Sequence, residues 1–283
     1  MDKIHPRVNW YAIAWRAPIV VWQLLFFVVP LLFLVYLSFW LVQNYVMVPA
    51  FDTENWTRMF SKSYFRDAYW RTLGLALVAA VIGTALAFPA AYALSFKVSD
   101  KVRRWAIFFL IIPFFTSYLV RVYAWQVIIA EHGVINAALS YIGMGPFEML
   151  STPVGTMVGY MTLALPLIVI LQTLSLSSIE RSLVEAAHNL GCGRIRTVFT
   201  IICPLAKGGI IIGAVFCFIL TFGDFVSPFY LGGSKPPTLS ILIIDTTKSG
   251  QQWPRAAVVA LTMIATLLAV AFAAIKLAYR KQS

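Results

Sequence analysis

Charge is scarce in this 283-residue chain, where Asp, Glu, Lys and Arg together fill 12% of positions. Soluble domains carry about 25% charged residues, so the sequence cannot cover itself with an ordinary water-facing surface. Three cysteines (Cys192, Cys203, Cys217) form no C-x-x-C pair, which excludes a disulfide framework and a cysteine zinc site. His5, His132 and His188 are scattered without metal-ligand spacing. No G-x-x-x-x-G-K-[ST] phosphate loop occurs anywhere, and Gly191-Cys192-Gly193-Arg194 has neither its spacing nor its lysine–hydroxyl pair. If ATP drives this protein, another polypeptide must bind it.

Apolar residues, by contrast, fill 60% of positions. They collect in six stretches long enough for the ~20 residues a helix needs to cross a bilayer: Ala17–Val42, Trp70–Phe96, Ala106–Ala130, Pro153–Leu174, Gly209–Leu231 and Ala256–Ala278. The reading is an all-α, polytopic membrane protein with a cytoplasmic N-terminal segment (1–16) and one transmembrane domain (17–283). The first run follows Lys3, Arg7 and Arg16 but is too long for a signal peptide and lacks a convincing cleavage site, so it stays as an anchor. Tryptophans at 10, 15, 22, 40, 56, 70, 105 and 253 mostly flank the runs, as amphipathic rings do at headgroup depth; Trp125 falls inside one.

The net charge of +11 raises a nucleic-acid reading, but the basic residues sit in short connectors rather than on one stripe. With the N-terminus inside, fourteen Lys and Arg fall on the cytoplasmic side and seven on the other, which orients both ends inward. Membrane lipid, not nucleic acid, is the expected surrounding. Apart from Arg71 and Lys276 at the ends of their runs, two full charges remain within the runs, Arg121 and Asp224. A charge at that depth is costly and marks function by default. Asp224 could attract a cation, with Tyr118, Tyr123, Trp125 and Phe222 offering ring faces; alternatively Arg121 and Asp224 neutralise each other. Arg121 suits a gate or a structural ion pair. Pro30, Pro89, Pro113, Pro166 and Pro228 remove backbone donors within or beside the runs, and Pro113 and Pro228 have polar neighbours fit for a path. An ion-coupled transporter would need more intramembrane carboxylates and an inverted repeat, and an intramembrane enzyme a cluster of reactive side chains; neither pattern is present.

The 175–208 connector is the longest cytoplasmic one, yet it is not turn-like. Ile179–Leu190 reads as a helix, Gly191 and Gly193 permit a reversal, and Arg194–Ile202 reads as a second amphipathic helix ending near Pro204. Glu185-Ala186-Ala187, three residues, Gly191, nine residues, Ile201 and Pro204 resemble the EAA loop of ABC importer permeases, with Cys203 where leucine is usual. The resemblance implies a type I importer permease fold in a bacterial inner membrane, and a coupling helix that docks in a groove of a separate ATPase subunit. On that reading this chain binds no cofactor, and ATP and Mg belong to the ATPase dimer. Further partners it implies are a second permease subunit and a periplasmic binding protein.

Within that family, Pro113-Phe114-Phe115-Thr116-Ser117-Tyr118-Leu119-Val120-Arg121-Val122-Tyr123, the 131–142 segment, Gly223-Asp224-Phe225 and Leu231-Gly232-Gly233 are similar to the spermidine/putrescine permease group. A polyamine substrate is the implied expectation; another small solute, such as an organic amine, an amino-acid derivative or a sugar, is the alternative.

Overall fold

The computed structural model describes residues 10–278. Four helices are individually long and apolar enough to cross a membrane: Ala17–Leu37, Ser63–Phe96, Pro153–Ser177 and Trp253–Ala278. Two further pairs qualify together but are bent, Asp100–Phe115 with Tyr118–Ile128 by 94° and Arg194–Leu205 with Lys207–Phe222 by 75°. Counting each bent pair as one span gives six. The ends expected in the cytoplasm, with Lys3, Arg7, Arg280 and Lys281, lie outside the described residues.

Proline chemistry accounts for the irregularities. Pro30 and Pro204 each follow a five-residue π segment, Leu24–Val28 and Val198–Ile202. A proline supplies no N–H and its ring displaces the carbonyl four residues back, so the preceding turn widens. Pro113 lies in the 3₁₀ turn Ile112–Phe115, and Thr116 then takes an extended conformation where the third span bends. The expected fifth stretch is likewise interrupted: its helix stops at Phe222, and after Gly223-Asp224-Phe225 a short helix runs over Val226–Tyr230.

The chain divides into two compact units, one comprising residues up to 61 with 243–261, the other 62–242 with the residues from 262 onward. In the first, the expectation that the first span continues to Val42 is corrected. The helix ends at Leu37, and Leu41–Gln43 pairs antiparallel with Val46–Val48 in a hairpin that departs from a purely α fold. Asn44 and Tyr45 both take positive φ, the requirement of a tight two-residue hairpin turn. Asn55, on helix Glu54–Ser61, donates to the carbonyls of Ser38 (3.1 Å) and Trp40 (2.7 Å), replacing the partners lost where the long helix stops.

In the second unit, helices Ser63–Phe96, Pro153–Ser177 and Lys207–Phe222 pack on one another. The first contributes a row of small buried residues, Ala76, Ala79, Ala80, Gly83, Ala87 and Ala91. Small side chains let helix backbones approach closely where apolar lipid supplies no drive for association. Polar groups are shared across the seams: Gln172 Nε2 donates to Thr84 O (3.1 Å), and Ser95 Oγ to Thr173 O (3.2 Å). A Cβ at Gly83 would lie 2.8 Å from Ile168 Cδ1 and 3.3 Å from Cys217 Sγ. Gly83→Val is therefore expected to cost roughly 1–3 kcal/mol through overpacking, seen as a lower unfolding temperature of the detergent-solubilised protein; an unchanged temperature would contradict this packing.

Candidate functional site: the coupling segment and the Asp224 cluster

The connector expected to couple to an ATPase folds into two short helices separated by a sharp reversal. Helix Arg181–Asn189 is preceded by Glu180 in extended conformation and followed by Gly191 at φ +79°. Gly191 N–H donates to His188 O (2.9 Å) and Cys192 N–H to Ala187 O (2.9 Å). This paired pattern is the Schellman termination, whose left-handed residue is normally glycine. No neighbouring atom lies within 4 Å of a Cβ built at Gly191, so its constraint is conformational rather than steric. Gly191→Ala is expected to cost about 1–2 kcal/mol locally and to appear as faster amide exchange over 187–192; unchanged exchange would refute the assignment.

Ala187 is buried, whereas Glu185 and Ala186 face outward beside exposed Leu183. Beyond the turn, Leu190 is 88% exposed and Ile195 is also exposed, flanked by Arg194 and Arg196. The segment is anchored from behind: Val184 and Val198 pack on a buried cluster of Ala91, Leu176, Ile179, Ile202 and Ala206. Ile201 is half-buried and Pro204 exposed. The second helix departs from expectation by passing through the π segment at 198–202.

The second candidate centre forms where the two broken spans meet. Asp224 is 8% exposed. Its Oδ1 accepts from Val226 N–H (2.9 Å), and its Oδ2 from Ser227 N–H (3.2 Å), Ser227 Oγ (2.5 Å) and Tyr118 Oη (2.7 Å). Tyr118 Oη also contacts Ser227 Oγ. The carboxylate thus satisfies the opening amides of helix Val226–Tyr230, as aspartate does at helix starts. It also ties that helix to Tyr118, the first residue beyond the bend of the third span. Hydrogen bonds to a charged acceptor are the stronger kind.

Among the described residues no salt bridge joins Arg121 to Asp224, the pairing offered as the alternative reading. Its guanidinium carbon lies 5.6 Å from the centroid of the Tyr118 ring, and Nη1 donates to Thr162 O (3.3 Å). Phe222 is fully buried and stacked on Phe218, with ring centroids 5.1 Å apart. In this structure it packs inside the bundle, at the last residue of helix Lys207–Phe222. Tyr123 remains half-exposed, its ring 5.0 Å from that of Tyr230. Trp125 lines a 590 Å³ cavity with Ile82, Leu86, Met157, Met161 and Pro166. Ser227, Tyr230 and Tyr160, whose buried hydroxyl has no hydrogen-bond partner among the described residues, were not singled out by sequence. The signal that could have found Ser227 is its three-residue spacing from Asp224, the reach of an aspartate at a helix start.

Residues 79–281 match the family described as the binding-protein-dependent transport system inner membrane component. The chain belongs to that family. It is a transport permease subunit rather than an enzyme, a type I ABC importer permease embedded by several spans in the inner membrane. This permease is 30% identical over 248 residues to the spermidine/putrescine transport system permease protein PotB of Escherichia coli K12, covering 87% of the chain and 90% of PotB. It is 29% identical to the sulfoquinovosyl glycerol transport system permease protein SmoG of Agrobacterium fabrum, covering 80% and 75% of the two chains. Among solved structures, a bacterial ABC transporter involved in import of the acidic polysaccharide alginate superposes with a TM-score of 0.76 at 18% identity, covering 97% of each chain. That likeness bears on the fold of the permease alone.

Proposed function

We propose that this permease carries polyamines inward, delivered by a periplasmic binding protein, as one half of a gate driven by a separate ATPase dimer. The observation that carries the reading is its near full-length relationship to PotB. A second permease subunit would complete the gate, and ATP with its Mg would sit wholly on the ATPase. Both chain ends, and with them the 175–208 connector, would face the cytoplasm, as the excess of Lys and Arg there favours.

The outward face of the coupling helix suits docking. Glu185 supplies a charge for a basic partner group, and Ala186 leaves room for a groove wall to come close. Gly191 fixes the angle at which the second helix leaves, and the π segment containing Ile201, with Pro204 after it, carries movement into helix Lys207–Phe222. In the cycle we infer, ATP-driven closure of the ATPase dimer shifts this segment and the spans rock to open outward; hydrolysis resets the inward-facing state. Arg121, stacked on Tyr118 rather than ion-paired, would act as a gate residue that follows the bend of the third span.

For the solute, Tyr123, Tyr230 and Trp125 offer ring faces to an ammonium group, worth about 0.5–2 kcal/mol each depending on desolvation. Asp224 acts from behind them. Its oxygens are occupied by internal donors, so its contribution to a passing cation is the field of an unneutralised carboxylate rather than direct contact.

Uptake into vesicles holding the full complex, measured with the cognate binding protein for spermidine, putrescine, other organic amines and sugars, tests the substrate. Saturable polyamine uptake is the expected result. Uptake of a sugar conjugate with no response to polyamines would instead favour the second reading, for which the 29% identity to SmoG speaks. Failure to isolate the chain together with an ATPase subunit from native membranes would sink the importer assembly itself.

A further inference from the structure

We propose that residues 133–147 form a lipid-anchored foot, which seats in the bilayer interface on the side opposite the coupling segment and fixes the depth of the bent third span. The segment begins five residues after the end of helix Tyr118–Ile128 and ends six residues before helix Pro153–Ser177, itself long enough to cross the membrane. Its position is therefore at a membrane boundary, and its surface chemistry matches that place. From Gly133 to Phe147 there is no charged residue; Glu131, His132 and Glu148 stand just outside. Tyr141 is 92% exposed, and Val134, Ile142, Met144 and Phe147 are also exposed. Four aliphatic or aromatic side chains and one phenol on an uncharged tip disfavour a water-facing loop.

The tip is built rather than loose. Gly133 lets the chain double back against the span it leaves, where a Cβ would lie 2.5 Å from the carbonyl oxygens of Val127 and Ile128. Helix Val134–Ser140 follows, and Ile135 packs on the buried cluster of Val122, Ile129 and Leu231. Asn136, 4% exposed, then acts as a pin: Nδ2 donates to Ala130 O (3.1 Å) and Phe147 O (3.0 Å), and Oδ1 accepts from Phe147 N–H (2.9 Å). Gly143 and Gly145 take positive φ and fold the outer turn between those fixed points. The apolar side chains are thus held outward by a satisfied polar network rather than by chance.

Among possible occupants, lipid fits best. Protein–protein contacts of the kind made and broken in a transport cycle surround their apolar centre with a polar rim and favour arginine. Here there is no arginine from 131 to 148, and Glu131, His132 and Glu148 stand only at the two ends of the segment. A tyrosine among aliphatic side chains is the composition of the headgroup–acyl boundary, where its ring is buried and its hydroxyl stays wet. Surface segments of this type settle about 5–10 Å into the interface. Without cationic side chains, the attachment would rest on apolar burial and not on anionic headgroups, so it would be insensitive to salt.

The test places a nitroxide at Ile142→Cys, and separately at Tyr141→Cys, in an uptake-competent chain whose three native cysteines are replaced. The chain is assembled with its partner subunits in phosphatidylcholine nanodiscs. A label at Glu131→Cys, also exposed, serves as the aqueous reference. Collision with dissolved oxygen is expected to dominate at 141 and 142 and collision with a water-soluble nickel chelate at 131, with no change on raising salt. Equal chelate access at all three positions would overturn the proposal. So would exclusion of both reagents from 141 and 142, the signature of a surface covered by the partner permease or by the binding protein.

Discussion

Asp224→Ala is expected to abolish uptake and to lower the melting temperature of the purified complex. The substitution strands the amides of Val226 and Ser227 and leaves Tyr118 Oη and Ser227 Oγ with only each other. A buried polar group left without a partner costs about 1–3 kcal/mol, and relaxation around the hole would recover part of the sum. Because Tyr118 and Asp224 lie at the breaks of two different spans, the loss falls on the contact that registers one bent span against the other. Asp224→Asn separates position from charge. Its amide oxygen can still accept from Val226 N–H and its amide nitrogen can donate to Tyr118 Oη, but Ser227 N–H loses its acceptor. Assembly is therefore expected to hold and thermal stability to fall by less than in Asp224→Ala. Polyamine uptake should fall at least several-fold because the negative field is gone. Undiminished uptake by Asp224→Asn would reduce the residue to a structural pin and remove it from any account of cation selectivity.

Ala186→Leu should uncouple the permease from its ATPase with little effect on the permease itself. Alanine and leucine have similar helix propensity, and position 186 faces outward on helix Arg181–Asn189, so the fold has no reason to change. On the proposed docking, a leucine there would hold the helix away from a close-fitting groove. Truncations and intrusions at the centre of such contacts cost about 2 kcal/mol or more, which corresponds to roughly thirtyfold weaker association. Co-purification of the ATPase and ATP-dependent uptake should both drop while the melting profile of the permease alone is preserved. Full uptake by the Ala186→Leu variant would mean that this face of the helix is not the one that docks.

Much of the spanning architecture was legible because twenty-residue apolar runs have few alternatives, and the runs at 70–96, 153–174 and 256–278 fall within helices Ser63–Phe96, Pro153–Ser177 and Trp253–Ala278. The hairpin at 41–48 was hidden because Leu41 and Val42 prolong the apolar run of the preceding helix without any break in hydropathy. The 94° bend was hidden for a related reason: apolar residues continue through Ile112-Pro113-Phe114-Phe115, and one proline does not reveal how far a helix turns. The coupling segment was readable in detail, since glutamate, small residues and a left-handed glycine at fixed spacing leave a local signature. The Asp224 cluster was not, because its partner Tyr118 lies 106 positions away and side-chain pairing at that separation depends on how the spans cross. Arg121 and Asp224 looked like natural counter-charges in sequence. In three dimensions backbone amides and hydroxyls satisfy the carboxylate, and an aromatic ring takes the guanidinium.

The row of alanines and glycine along helix Ser63–Phe96 has a mechanical consequence. Contacts made of backbone and methyl groups have shallow relief, so a small rotation of one helix against its neighbours trades one methyl contact for the next instead of lifting a knob out of a hole. Such a surface works as a bearing: tight enough to keep lipid out, smooth enough to turn under load. Movement of the bundle would then be limited by what pushes on it, and not by friction along its own axle.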